Sequence, residues 1–355
     1  MTRTNRKTPH QYRSLHIEEW PEADRRAWEE ACRPGLRLKP GGPASGFAEA
    51  SREDFARRYG AFLGFLHRTG RLDMDLPASA LVTPSNVEAY VAELTARVSS
   101  VTTWNCIYKL RRASELINPP SDFKWLAEIE QDLALVMQPR SKLDRVVFSD
   151  RLAEAGLTLI GEARQFARTE AKRAIGIRNG LMITVLALCP IRLKNFAALE
   201  LGTTFREIHE CWWITLPRRS TKTKRSPDER RLPSLLHPFI DLYLSEARPV
   251  LLAPDAETNA LWISSTTGGA MTKKNLGMLI SKLTRETLGV DVSPHLFRTA
   301  AATTAAAYAP HLPHLASAIL GHTDPRITEE HYNRAGSVHA ALIYSEIVSE
   351  LQLLD

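Results

Sequence analysis

Residues 293–335 read SPHLFRTAAATTAAAYAPHLPHLASAILGHTDPRITEEHYNRA, and the fold is decided here. The run TAAATTAAA is small in composition and predicts a tightly packed helix. His295 and Arg298 lie three apart, which on a helix puts them on one face, able to reach a common phosphate. Such a pair arises by chance in many basic helices, so its weight depends on company. Gly321 ends the apolar helix LASAIL, so His322 projects from a helix terminus where its ring can donate to an oxygen. A histidine there is commonly only a cap. Tyr332 follows.

Two segments upstream add to this. Arg192 stands in CPIRLKNFAALEL, residues 189–201, and a basic loop RRSTKTKRSPDERR, residues 218–231, follows the strand-like WWITLP. Around that loop TFREI and WWITL alternate about His209 and Glu210, and the chain leads on to RRLPS, a small β patch in an otherwise helical region. ALWIS, residues 260–264, is a possible additional short strand.

Order and spacing together resemble the tyrosine recombinase (phage integrase) family, over roughly residues 50 to 350 and most strongly from 293 to 335. The resemblance implies a chain that is mainly α with a small antiparallel β patch. It further implies an N-terminal all-helical core-binding (SAM-like) domain and a C-terminal tyrosine recombinase catalytic domain, closing on duplex DNA as a clamp. The family's catalytic set falls on Arg192, Lys222, His295, Arg298, His322 and Tyr332. Lys224 takes the place of Lys222 if the loop register is shifted by one alternation. Tyr308 and Tyr344 do not follow a Gly-His pair at the right distance.

The chemistry suits those residue types. Attack on a phosphodiester adds negative charge to the non-bridging oxygens, and two arginines from separate segments offer planar, permanently charged donors to them. A tyrosine with a pKa of about 10 needs a neighbour to take its proton or stabilise its phenolate. The resemblance implies a covalent 3′-phosphotyrosine, with a lysine on the hairpin protonating the leaving 5′-oxygen. No phosphate-cradling glycine loop or carboxylate cluster is present, which agrees with chemistry that needs neither ATP nor a metal; no cofactor is expected.

Three positions depart from the family pattern. Asn195 stands where an acidic residue is common, the interval from His322 to Tyr332 is one residue longer than usual, and Thr299 follows Arg298 where histidine is frequent. None removes a catalytic group, so geometry and rate are affected more than reaction type.

Further out, residues 1–45 read as an arm: a basic tail, a short helix WPEADRRAWEEAC, and a Pro/Gly stretch that cannot continue it. Residues 46–140 form a helical module. Its first helix is capped by Ser51, and others cover Pro84 to Arg97, Ser100 to Leu116 and about Lys124 to Val136. Residues 141–150 are the linker, and 151–335 the catalytic domain, with long helices at about 151–169 and 174–188. Residues 336–355 are an amphipathic tail helix with Val338, Leu342, Ile343, Ile347 and Leu351 on one side. In this family such a tail commonly docks on a neighbouring protomer; docking on its own domain is the alternative.

Lysine and arginine outnumber aspartate and glutamate 46 to 40, a formal +6, which favours a polyanionic partner without naming one. On the fourth helix Lys109, Arg111 and Arg112 form either a face for a phosphate backbone or a merely solvated one. Arg219, Lys224 and Arg225 in the hairpin, and Lys273 and Lys274 in MTKKN, are further candidate DNA contacts. The four cysteines are scattered without metal-binding spacing and read as reduced thiols. With no apolar signal core and no run of roughly 18 apolar residues, a cytoplasmic protein with no membrane partner is expected. The partners implied are double-stranded DNA recombination sites, three further copies in a synaptic tetramer, and an accessory directionality factor. The N-terminal extension makes the chain longer than compact chromosome-dimer-resolving members, which favours integration and excision of a mobile element. Xer-like dimer resolution, a type IB topoisomerase and a non-catalytic DNA-binding regulator are the alternatives.

Overall fold

The computed structural model describes residues 12–139, 143–220, 227–309, 311–312 and 314–320. Expectations for Lys222, Lys224, Arg225, His322, Tyr332 and the tail helix therefore lie outside the described residues. The chain divides into two compact units, residues 1–141 and 142–355.

The first unit is helical: α1 Glu22–Cys32, α2 Glu49–Arg68, α3 Pro84–Arg97, α4 Ser100–Ile117 and α5 Lys124–Leu135. The starts of α3 and α4 follow from their caps, Thr83 Oγ1 accepting from Asn86 N at 3.3 Å and Ser99 Oγ accepting from Thr102 N at 3.4 Å. Pro84 at the first helical position has no N–H to leave unsatisfied. The expected Ser51 cap is corrected, because α2 begins at Glu49 after Ala48 and Ser51 lies inside its first turn. The arm reading is corrected too. From Leu15 onward residues expected to trail are part of the core, with Leu15, Trp20 and Trp28 buried alongside Tyr59, Phe62 and Leu66. Two glycines make this possible. A Cβ at Gly60 would meet the Leu15 carbonyl oxygen at 2.2 Å, and one at Gly64 the Arg13 carbonyl oxygen at 2.5 Å. The bare backbone of α2 thus receives the N-terminal segment, and Leu15 N donates to Gly60 O at 2.9 Å.

The second unit is built on α6 Ser149–Phe166 and α7 Glu170–Leu188. Residues Ile177 to Ala187 of α7 are all buried, so this helix is apolar almost all round and forms the centre of the unit. It starts earlier than expected because Thr169 caps it, accepting from Lys172 N at 3.2 Å. Then come α8 Leu193–Ala197, β1 Phe205–Ile208, β2 Cys211–Leu216 and β3 Asp228–Arg231. The strands form one antiparallel sheet in the order β1-β2-β3, with Phe205 opposite Ile214 and Ile214 opposite Arg230. His209 and Glu210, at φ 49° and 58°, make the two-residue turn between β1 and β2, whose left-handed backbone matches the twist of the strands. ALWIS does not become a strand: Ala260 and Ile263 make only isolated bridges, to Glu200 and Ala270.

The remaining described helices are α9 His237–Leu242, α10 Arg248–Leu251, α11 Lys273–Leu288, α12 Pro294–Tyr308 and α13 Leu315–Leu320, with a π-helical turn Tyr243–Ala247 joining α9 to α10. The core between them holds Phe196, Tyr243, Trp262 and Phe297. The polar atoms of its two large aromatic side chains are satisfied, Trp262 Nε1 donating to Phe196 O at 3.0 Å and Tyr243 Oη to Leu261 O at 2.6 Å. Alanines 300–302, 305 and 306 of α12 are buried, which is the close packing that the small residues promise.

Candidate active site

The site is assembled where three segments of the second unit meet. Helix α7 is closed by Cys189, and Pro190 and Ile191 lead to Arg192, which is half-buried and precedes α8 in extended conformation. Helix α12 starts at Pro294, so His295 stands at its second position, exposed, and Arg298 one turn on, buried with 7% of its surface accessible. Arg298 connects the segments. Its Nη1 donates to Pro190 O and its Nη2 to Leu320 O, each at 2.6 Å. One of those carbonyls lies two residues before Arg192 and the other two residues before His322.

Burial, and then the charges of Arg192 and Arg230, push the Arg298 guanidinium down to about 10, with Asp228 partly offsetting them. It is still cationic at neutral pH, because a guanidinium is among the strongest of bases. The larger part of the shift is the cost of burying the charge, to which two neighbouring guanidinium groups add.

Arg230 escapes the sequence reading, although alternation along β3 points to it. Leu232 is buried, so Arg230 and Asp228, two and four residues earlier, face the same side. The Arg230 side chain is 14% exposed and grips Asp228 through Nε to Oδ1 and Nη2 to Oδ2, both at 2.8 Å, while Nη1 donates to Ile319 O at 2.7 Å. Burial pushes the neighbouring Cys189 thiol up to about 11, so it is no ready nucleophile.

Asn195, the departure from the expected acidic residue, is buried, and its Nδ2 donates to Ser220 O at 3.1 Å. Ser220 ends the short 3-10 turn Arg218–Ser220, where Arg219 lies, and the chain then runs into residues 221–226 with Lys222. The amide thus anchors one end of the loop that bears the expected general acid.

The candidate DNA contacts fall into two kinds. On α4 the cations are matched by carboxylates: Lys109 Nζ by Asp54, Arg111 by Glu115 at 2.6 Å and Glu130 at 2.7 Å, Arg112 by Glu115 at 2.5 Å. Lys273 and Lys274 instead open α11 on an exposed surface behind the cap Thr272. Positive charge at a helix N-terminus opposes the helix dipole, so these lysines do not serve the helix they stand on. Among the described residues no group of histidine, cysteine, aspartate or glutamate is placed to hold a metal ion, and no helix is long and apolar enough to cross a membrane.

No protein-family model and no curated protein matches the chain. Among solved structures it is similar to the XerH site-specific recombinase bound to its difH substrate in a pre-cleavage complex, with a TM-score of 0.55 and 16% identity over 82% of this chain and 78% of that one. The chain has the tyrosine recombinase fold. Lower overlaps are found with XerA recombinase, at TM-score 0.40 and 16% identity over 84% of this chain and 94% of that one. A lambda integrase dimer bound to a COC′ core site gives 0.47 and 12% identity over 82% and 90%. In this recombinase fold the helical unit and the mixed unit correspond in kind to the two domains implied by the sequence, and Arg192, His295 and Arg298 all belong to the second.

Proposed function

We propose that the chain is a site-specific DNA recombinase that cuts and rejoins strands through Tyr332. The observation that carries this reading is the buried Arg298, whose fork joins Pro190 O, two residues before Arg192, to Leu320 O, two residues before His322, with the charges of Arg192 and Arg230 close by. Arg192 and Arg298 clamp the non-bridging oxygens of the scissile phosphate, and His322 donates to one of them. The Tyr332 hydroxyl oxygen attacks phosphorus and passes its proton to a neighbouring base, for which His295 is the candidate. The bond from phosphorus to the 5′-oxygen breaks, and Lys222 protonates the departing oxygen. The 3′-phosphotyrosine keeps the bond energy, so a second 5′-hydroxyl reverses the step without ATP.

The partners in this reading are duplex recombination sites, three further copies of the chain in a synaptic tetramer linked by the tail helix, and an accessory directionality factor. Lys109, Arg111, Arg112, Arg219, Lys224, Arg225, Lys273 and Lys274 are its candidate contacts to DNA. The biological role proposed is integration and excision of a mobile element, with Xer-like dimer resolution as the alternative.

The test is covalent capture. Duplexes that bind the chain are selected from a randomised library, nicked beside the scissile position so that the cut fragment escapes, and resolved on a denaturing gel. A protein–DNA adduct is expected from the wild type and none from Tyr332→Phe. An adduct with the phenylalanine variant would overturn the nucleophile assignment, and no adduct with the wild type would overturn strand transfer.

A further inference from the structure

The described part of α13 ends at Leu320, and its last carbonyls are gripped from other elements. Two of them, Ile319 O and Leu320 O, are taken by arginines from different elements: Arg230 of β3 at 2.7 Å and Arg298 of α12 at 2.6 Å. Arg230 spends three of its five N–H donors inside the protein, Nε and Nη2 on Asp228 and Nη1 on Ile319 O. A buried ion pair is not needed for stability, since well-packed apolar residues do as well or better in that setting. What the pair achieves is registry. Ile319 and Leu320 adjoin, so Arg230 on β3 and Arg298 on α12 hold the same end of α13.

Resting on the recombinase reading, we propose that Arg230 is a positioning residue of the strand-transfer site: oriented by Asp228, it fastens the end of α13 to β3 and so fixes the neighbouring Leu320 carbonyl that receives Arg298.

The experiment compares full-length wild type with Arg230→Lys, which keeps a charge for Asp228 but loses the second donor. A double variant, Arg230→Met with Asp228→Asn, removes the pair without orphaning a buried carboxylate. Hydrogen exchange on the DNA-free protein is expected to quicken about tenfold in residues 315–320 of both variants, with α6 and α7 unchanged and the melting temperature close to wild type. On the selected nicked duplex, the adduct-forming rate at saturating DNA is expected to fall by about a hundredfold, the cost of a misplacement near one ångström, while the DNA concentration giving half the maximal rate stays the same. Exchange that rises throughout the second unit, or a rate that falls only in step with DNA affinity, makes Arg230 a plain structural residue and overturns the proposal. Variants that match a competent wild type in rate overturn it alone. A wild type that forms no adduct overturns the recombinase reading and this proposal with it.

Discussion

The Arg298 guanidinium donates to the carbonyl oxygen of Leu320 at 2.6 Å, although 22 positions separate the two residues in the chain. With its other terminal nitrogen on Pro190 O, at the same distance, this side chain bridges the segments that run into Arg192 and His322. The bridge requires a planar fork. A lysine ammonium is a single point of charge and cannot span both carbonyls in the same orientation. Arg298→Lys is therefore expected to leave at least one buried carbonyl unpaired, lowering stability by about 1–3 kcal/mol. It should also cut the single-turnover rate of covalent capture by about a hundredfold or more. Urea unfolding followed by tryptophan fluorescence and adduct formation on the nicked duplex measure the two effects. A lysine variant with wild-type capture would show that the fork is dispensable.

Asn195 gives the second prediction. Its side-chain N–H donates to Ser220 O at the start of the loop bearing Lys222, so the acid usual at this position would face a carbonyl oxygen with nothing to donate. Asn195→Asp, the change toward the family pattern, is expected to destabilise by about 1–3 kcal/mol and to slow capture rather than improve it. Restored or faster capture in the aspartate variant would mean that the amide is only a tolerated substitute.

Much of the helix content was legible because it rests on local signals: the helical apolar spacing of the first unit and the small residues of α12. Less legible was anything set by an approach between distant segments. Ser51 is a good capping residue, but α2 starts before it, at Glu49 directly after the extended Ala48, with Phe47 packed edge-on against Phe55. Burial of residues 15–28 depends on glycines that look like mere helix weaknesses until another backbone is laid on them. ALWIS has strand composition but finds only a bridge on either side, at Glu200 and Ala270, so no ladder propagates. In the site, Arg298 could be singled out by motif, yet its buried bridge between carbonyls could not. Arg230 required the register of β3, which alternation from Leu232 supplies.

Asp24 predicts a pH dependence of stability. Its carboxylate is buried in the first unit, where Oδ1 accepts from Ser79 N at 2.6 Å and so holds a residue with φ of 63°. Burial raises its pKa above the usual carboxylate range, the Ser79 hydrogen bond offsetting only part of that cost. A raised folded-state value means that the folded protein binds the proton more tightly than the unfolded chain. The associated stability is complete below the unfolded pKa and is lost as pH rises through the folded one. Asp24→Asn retains an oxygen acceptor for Ser79 and removes the charge. It is expected to be more stable than wild type near neutrality, the gap closing as pH falls below the carboxylate range. Denaturant midpoints of the two proteins across that span decide it, and a gap that is constant with pH or reversed in sign refutes the assignment.

Lys273 and Lys274 can be set against Arg111 to separate binding to DNA from pairing within the protein. Arg111 is 17% exposed and lies between Glu115 and Glu130, which are 31% and 16% exposed, so its charge is already compensated. Arg111→Ala is expected to cost about 1–3 kcal/mol of stability by taking the donor from the partly buried Glu130, while Glu115 keeps Arg112, discounted toward the lower figure by solvent screening. Its salt dependence of DNA binding should match the wild type. The two lysines on α11 are exposed and stand where the helix dipole disfavours them, so a polyanion is the partner that suits them. Replacing both with alanine is expected to leave stability within about 0.5 kcal/mol and to flatten the slope of log affinity against log salt by about 0.9 for each phosphate that is no longer neutralised. Titrations of a selected duplex at several salt concentrations give both slopes. If Arg111→Ala flattens the slope and the lysine pair does not, phosphate is gripped through the compensated face of α4, and the positive surface at α11 serves some other purpose.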